Sequence, residues 1–244
     1  MGKEYYIAAC VFTAQFPELS EKIQQYVTAR FHMPIVRCCT PRFMLTQFEE
    51  RMPDSYREQW KALPDHAELQ PGDTIYSVCH NCLNIMEETL PGVQVKSLWE
   101  LILLDEQFAF PDYQGLSVTI QDCWRSRDRL SEQTAVRSLL KKMNISFLET
   151  EENFARTDFC GNSLYRPQPP RNPKLAPIHY QVNAVGKFEP HSAEEQAQIM
   201  QAYCRRYQTD IVVCYCHYCL EGLLLGGKDG RHLAQLLFQP GAHA

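Results

Sequence analysis

Cysteines are the residues best able to do chemistry in this sequence, since 11 of the 244 residues are cysteine. Disulfide frameworks persist in oxidising compartments, and the start of the chain lacks the apolar stretch of a secretory leader. We therefore expect a cytoplasmic protein whose thiolates hold metal. The cysteines form an early group and a late group: Cys10, Cys38, Cys39, Cys79 and Cys82, then Cys123, Cys160, Cys204, Cys214, Cys216 and Cys219.

An internal repeat relates the two groups. The five residues starting at Cys79 match the five starting at Cys216 at four positions, because both read Cys-His-x-Cys-Leu. Each follows an apolar run, at 74–78 and 210–213. Upstream, β-prone runs lead into Cys10 and into Cys123. The pattern predicts a tandem duplication.

The segments between the cysteines predict how each copy folds. Apolar residues at helical spacing form one face in each copy, namely Leu19, Ile23, Tyr26 and Val27, then Val136, Leu139, Leu140 and Met143. Short apolar runs follow at 34–36 and 145–148. Alternating strands and helices predict an α/β protein of two tandem Rossmann-like half-domains with parallel sheets, at 1–112 and 113–244. The second contains a proline-rich insertion near 166–177, predicted to be extended and non-helical.

Most of the cysteines directly follow predicted strands. Ligand sites of open α/β sheets gather beyond the carboxyl ends of the strands. Thiols that lie far apart in sequence can therefore converge there.

The spacing of the first copy, C-x27-CC-x39-C-x2-C, resembles the CCG or cysteine-rich domain of the heterodisulfide reductase B-subunit family. That family carries two such domains in tandem, and the resemblance covers the chain from Tyr5 to about Phe238. It implies pseudo-twofold symmetry between the halves. It also implies a noncubane [4Fe-4S] cluster in the first half, held by Cys10, Cys38, Cys39, Cys79 and Cys82.

The sequence departs from this pattern at two places. Thr40 replaces the motif's glycine in the first copy, and the cysteine pair of the second copy is reduced to Cys160. The resemblance then leaves four ligands in the second half: Cys123, Cys160, Cys216 and Cys219. Four thiols can hold a [4Fe-4S] cubane or a zinc ion, or the site can be empty, and Cys214 is a candidate extra ligand. Cys204 is expected to be an ordinary buried thiol.

Other polar residues near the cysteines are candidates for supporting roles, while the catalytic residues are unknown. His80 and His217 lie inside the two C-x2-C segments, predicted as loops, where an imidazole can tune a metal site or move protons. Arg125 and Arg127 follow Cys123 and are weak candidates for binding an anionic substrate.

Composition and missing motifs exclude several functions. The formal net charge is −5 and no basic stripe is present, so binding to nucleic acid has no electrostatic support. No stretch approaches the roughly 20 apolar residues of a transmembrane segment. The glycine-rich and histidine motifs of nucleotide-binding proteins and common hydrolases are also missing.

The resemblance implies an iron-sulfur oxidoreductase that reduces a disulfide, or oxidises a thiol pair, between the two halves. A non-catalytic electron-transfer subunit of a larger redox complex is one alternative. A zinc-stabilised interaction module is another, although the Cys38-Cys39 pair argues against it. The chain has no ferredoxin-type C-x2-C-x2-C run, so we expect a separate electron-donor subunit with cubane clusters or flavin. The substrate would be a small disulfide or thiol.

Overall fold

The computed structural model describes residues 2–38, 49–65, 69–168 and 171–240. It divides into two compact units. The first comprises Met1–Leu98 together with Arg171–Pro177, and the second comprises Trp99–Pro170 together with Ile178–Ala244. The repeat boundary between residues 112 and 113 stays a prediction.

The first unit is built around a four-stranded, all-parallel sheet. Its strands are β1 (Glu4–Ala8), β2 (Ile35–Arg37), β3 (Thr74–Ser77) and β4 (Gln94–Ser97), in the order β2-β1-β3-β4. The helices between them that have described bounds are α1 (Cys10–Gln15), α2 (Pro17–Phe31), α3 (Asp54–Ala62) and α4 (His80–Thr89). Helix α5 (Leu98–Leu104) follows β4 and, from Trp99 onward, belongs to the second unit. In the register of the central pair, Tyr5 lies opposite Ile75.

The second unit repeats this topology. Its strands are β5 (Ser117–Gln121), β6 (Ser146–Glu149), β7 (Ile211–Cys214) and β8 (Asp229–His232), all parallel and in the order β6-β5-β7-β8. The α-helices of the remaining chain are α6 (Leu130–Lys142), α7 (Arg171–Leu175), α8 (Ala193–Cys204), α9 (His217–Leu225) and α10 (Leu233–Phe238). Of these, α7 belongs to the first unit. The equal strand order confirms the predicted α/β class with two parallel sheets.

Apolar runs explain why the strands and helices form as they do. Val118 and Ile120 of β5 and Val212 and Val213 of β7 are fully buried, as expected for strands covered on both faces. The helical faces predicted from sequence also point inward. Leu19, Ile23 and Val27 are buried on α2, and Val136, Leu139 and Leu140 are buried on α6.

The proline-rich segment differs from the prediction, because residues 171–175 form the short helix α7. Pro173 lies in its first turn, where backbone N–H groups have no partner within the helix, so a proline there breaks no bond. The expectation of a wholly non-helical insertion was therefore wrong. A π-helix follows at Ile178–Val182.

The C-x2-C segments also differ from the prediction. His80 and His217 are the first residues of α4 and α9, and not loop residues. Each helix starts directly after a parallel strand, with Cys79 or Cys216 at its N-cap position. The sequence interpretation also missed β4 and β8, which are short and half-polar.

Candidate metal centre

Four buried cysteines of the second unit come together. The Sγ atoms of Cys123, Cys160, Cys216 and Cys219 all lie within 4.8 Å of one another. The sulfurs of Cys123 and Cys160 are 3.6 Å apart. All four thiols are free of disulfide bonds. The set is the one expected for the second copy, and it can hold a metal ion or cluster.

Two neighbouring strands deliver three of these cysteines. Cys123 follows β5, and Cys216 follows β7, which pairs with β5 in parallel. Cys216 is the N-cap residue of α9, and Cys219 lies in the first turn of that helix. The N-terminal end of a helix carries partial positive charge, which favours thiolates. The sequence-distant thiols therefore converge at the carboxyl edge of the sheet, as expected.

A contact between two glycines brings the fourth cysteine to the others. Cys160 precedes the 3-10 turn Gly161–Tyr165, and Gly161 has a φ of +58°. A Cβ atom on Gly161 would lie 1.9 Å from the carbonyl oxygen of Tyr218, and one on Gly222 would lie 2.3 Å from the Cα atom of Gly161. The turn can therefore approach α9, which carries Cys219, only because both residues lack a side chain.

Phe159, the residue before Cys160, packs its ring against Tyr203 of α8, with centroids 4.4 Å apart and planes at 25°. Its carbonyl oxygen accepts a hydrogen bond from the backbone N–H of Trp124 at 2.8 Å. The sulfur of Cys219 lies 3.9 Å from the same oxygen. The position before Cys160 thus serves packing with its side chain and orders the site with its backbone.

The electrostatic environment distinguishes Cys160 from its neighbours. Burial raises the pKa of the Cys123 and Cys219 thiols well above the ordinary value. Burial acts the same way on Cys160, but the Cys123 and Cys219 thiols and the charge of Arg125 lower its pKa below the ordinary value. The guanidinium Nε of Arg125 donates to Cys160 Sγ at 3.1 Å. Cys160 is thus the cysteine of the group with a cation in direct contact.

A buried ion-pair network lies directly behind the cysteines. Asp122 precedes Cys123 and is fully buried, and Arg137 of α6 donates to both of its carboxylate oxygens at 3.0 and 2.8 Å. Tyr215 precedes Cys216 and donates its hydroxyl to Asp122 at 2.7 Å. Arg137 also binds Glu149 on β6. The sequence interpretation missed this network, although Asp122 and Tyr215 are the immediate neighbours of predicted ligands.

The first unit also brings cysteines into contact, although its described cysteines do not form a group in which all sulfurs lie within 4.8 Å of one another. The Cys82 thiol forms hydrogen bonds with Cys38 and Cys79, and these bonds and burial raise its pKa well above the ordinary value. The backbone N–H of Cys10 donates to Cys38 Sγ at 3.0 Å. All four are buried. Cys39 and Thr40 lie outside the described residues.

The other residues predicted as ligands or supporting groups are not members of the four-cysteine group. Cys214 ends β7, is fully buried and donates its thiol to the Cys216 carbonyl at 3.7 Å, but the group does not include it. Cys204 is buried at the end of α8 and is not in the group either. His80 and His217 are buried where their helices begin. A role for Arg127 or Arg125 in substrate binding stays a prediction.

The separation of the four sulfurs tests which metal group they fit. With metal–sulfur bonds of about 2.3 Å, the corners of a tetrahedron around one ion lie about 3.8 Å apart. The 3.6 Å between the sulfurs of Cys123 and Cys160 and the 4.8 Å limit for the group agree with this size. Thiolates of a cubane bind four separate irons and stand further apart. The size of the donor set is therefore compatible with a single tetrahedral ion.

A scan against protein-family models and a search of curated proteins each find no match. In the described part of the chain, no helix has the length and apolar character needed to cross a membrane.

Proposed function

We propose that this protein is a metal-dependent oxidoreductase of the CCG type whose second unit binds metal through Cys123, Cys160, Cys216 and Cys219. The observation that carries the metal binding is the convergence of four buried sulfurs within 4.8 Å from three separate chain segments. Four free thiols in one place offer the complete ligand set of a tetrahedral thiolate centre. Cys123 and Cys216 follow strands, and Cys219 lies in the first turn of a helix, which are favourable positions for thiolates that hold metal.

The oxidoreductase part of the proposal has two supports. One is the spacing of the first five cysteines, which resembles that of a noncubane [4Fe-4S] site. The other is the gathering of Cys38, Cys79 and Cys82 in the first unit, next to Cys10. When bound, such a cluster would supply single electrons. The thiolates of the chain would hold it, and the buried surroundings would exclude water.

The proposed reaction is the reduction of a small disulfide. Two electrons and two protons convert one disulfide into two thiols, or the reverse reaction oxidises a thiol pair. The electrons come from a donor subunit with cubane clusters or flavin. In a non-catalytic variant of the proposal, the chain passes these electrons on to a partner.

A zinc-stabilised module is the second candidate, and the compact sulfur group of the second unit favours it. Zinc bound by four cysteines contributes folding energy and has no redox chemistry. The two proposed functions are compatible if the second unit binds zinc and the first unit binds iron. In that case only the first unit transfers electrons.

The decisive experiment is the content of iron, zinc and acid-labile sulfide in protein prepared without oxygen. We expect about one tetrahedral ion per chain from the second unit, and iron with sulfide from the first. Cys123→Ser should remove the second-unit metal. Cys204→Ser is the matched control, because Cys204 is a buried cysteine outside the group. This variant should leave the metal content unchanged. Equal metal loss in both variants would overturn the ligand assignment.

The activity is tested separately, by following the oxidation of a reduced viologen dye in the presence of a small disulfide. Oxidation that depends on the iron content supports the oxidoreductase. Zinc without sulfide, together with no viologen oxidation, would overturn it in favour of the zinc module.

A further inference from the structure

One arginine is buried directly against the four-cysteine group. The side chain of Arg125 is almost fully buried, with a relative exposure of 6%. Its Nε donates to Cys160 Sγ at 3.1 Å, and its Nη2 donates to the Ser163 hydroxyl at 3.4 Å. Ser163 donates in turn to the Cys160 carbonyl at 2.7 Å, and its hydroxyl lies 3.3 Å from Cys160 Sγ. The guanidinium therefore fixes Cys160 directly and through a hydroxyl.

Aromatic rings surround the same guanidinium. Its central carbon lies between 5.3 and 5.8 Å from four ring centroids. These rings belong to Trp124, Tyr180, Phe188 and Tyr218. The face of an aromatic ring attracts a cation, and guanidinium suits such a site because it is planar and weakly hydrated. The rings hold Arg125 in place and keep its charge.

The charges of a loaded centre explain what this arginine can do there. Four thiolates around a divalent ion leave two negative charges in excess, and a buried excess charge is unfavourable unless it is compensated. Arg125 brings one positive charge to hydrogen-bonding distance of one of the four sulfurs. It therefore offsets half of the excess charge at the ligand that it contacts.

We infer that Arg125 is a positioning residue of the metal centre, which acts through Cys160 as its built-in counter-cation. The inference rests on the proposed metal binding by the four cysteines. Arg125 holds the Cys160 sulfur in place and sets one positive charge directly beside it. Metal affinity therefore depends on the positive charge of Arg125 as well as on the shape of its side chain.

Arg127 provides a matched control two residues further on. Its guanidinium lies over the same Trp124 ring, at 5.9 Å, but it is more exposed and forms an ion pair with Asp128 at 3.6 Å. The two arginines share an aromatic neighbour and differ in the contact with Cys160. If the loss of any positive charge from this segment weakened metal binding, substitution of either arginine would weaken it.

The test compares Arg125→Met, Arg125→Lys and Arg127→Met with the natural protein. Methionine fills the space among the rings without charge, and lysine keeps the charge without the planar fork. Zinc affinity is measured by competition with a chelator. We expect Arg125→Met to bind zinc about 10- to 100-fold more weakly, as found for residues that support metal ligands. Arg125→Lys should lose less, and Arg127→Met should bind like the natural protein.

The absorption spectrum of the cobalt(II)-loaded protein is a second readout, independent of activity. A hydrogen bond from a cation lowers the energy of the sulfur lone pair, so the sulfur-to-cobalt charge-transfer band lies at higher energy with the bond than without it. Arg125→Met should shift this band to longer wavelength. Arg127→Met should leave it in place.

The outcomes separate this inference from the proposed function. If the natural protein binds neither zinc nor cobalt(II), the metal site itself is wrong. If the natural protein binds both and Arg125→Met matches it in affinity and spectrum, only the role of Arg125 is overturned. Equal losses in Arg125→Met and Arg127→Met also overturn it, since the contact with Cys160 would then be irrelevant.

Discussion

Tyr215 donates its hydroxyl hydrogen bond to Asp122 at 2.7 Å, and this bond joins the residue before Cys216 to the residue before Cys123. Both side chains are fully buried. Arg137 holds the same carboxylate through two hydrogen bonds. The buried carboxylate therefore adds a side-chain link to the pairing of β5 with β7, the strands that the two cysteine-bearing segments follow.

We predict that Asp122→Ala destabilises the protein strongly. The substitution leaves the buried Arg137 guanidinium without one of its two carboxylate partners, and breaking a buried ion pair in this way costs about 3–5 kcal/mol. It also removes the side-chain link between the segments that hold Cys123 and Cys216, so zinc affinity should fall as well. Urea denaturation and chelator competition measure the two effects. A variant of unchanged stability would contradict the structural role of Asp122.

Tyr215→Phe removes the hydrogen bond to Asp122, together with the longer one that the hydroxyl accepts from Ser126 at 3.4 Å, and keeps the ring. We expect a loss of about 1 kcal/mol in the free energy of unfolding, together with weaker zinc binding. Tyr113→Phe is the control, because the Tyr113 hydroxyl donates to the Leu236 carbonyl in the same unit at 2.9 Å. That variant should lose similar stability at unchanged zinc affinity. Equal zinc affinity in both variants would refute a link between Tyr215 and the metal centre.

Gly161→Ala should damage the centre more than its small size suggests. The added Cβ would collide with the Tyr218 carbonyl, and the φ of +58° is unfavourable for alanine. The left-handed backbone alone costs about 1–2 kcal/mol, and the collision moves Cys160 away from Cys219. Gly115→Ala is the control, since it has a φ of +83° with open space around the added atom. Only Gly161→Ala should lower zinc binding in a chelator competition.

The fold could be predicted from sequence because its signals are local. Apolar periodicity identified α2 and α6, and the repeated Cys-His-x-Cys-Leu segments identified the duplication. Their place at strand ends predicted that distant thiols converge, and the family resemblance implied the set Cys123, Cys160, Cys216 and Cys219, which the structure brings together. Parallel sheets bring the carboxyl ends of neighbouring strands together. Residues that follow neighbouring strands are therefore expected to lie close to one another, even when they are distant in sequence.

The support of the site could not be predicted, because it depends on contacts between distant residues. Arg137 meets Asp122 across 15 residues, and Arg125 meets Cys160 across 35. Neither pair has a spacing that a sequence pattern detects. The helix α7 was missed because a proline signals a helix break inside a helix but not in its first turn.

The pH dependence of stability offers a test of the assignment of Cys204 as an ordinary buried thiol. Burial raises the pKa of Cys204 to about 11, whereas an exposed cysteine ionises near pH 8.5. The unfolded chain therefore loses this proton first. The contribution of Cys204 to the free energy of unfolding is fully present below about pH 8.5 and is lost as the pH rises toward 11.

Cys204→Ala should therefore flatten the decline in unfolding free energy between about pH 8 and pH 10.5. Any packing loss is the same at both pH values and cancels in the difference. Urea denaturation of both proteins at the two pH values gives the comparison. An identical decline in both would mean that the Cys204 thiol is not protected from ionisation in the folded protein.

Phe159→Cys would restore a cysteine pair in the second copy, and we predict that it does not add a ligand to the centre. The Phe159 ring packs on Tyr203 of α8, and its backbone carbonyl is the group near Cys219. A thiol at this position would therefore point toward Tyr203, as the Phe159 ring does. The cobalt(II) spectrum should stay that of four thiolates, while loss of the buried ring should cost about 3 kcal/mol. Phe159→Leu, which keeps most of the volume, should cost less and give the same spectrum. A changed spectrum in Phe159→Cys alone would show that the position can reach the metal, and would restore the five-cysteine pattern to the second unit.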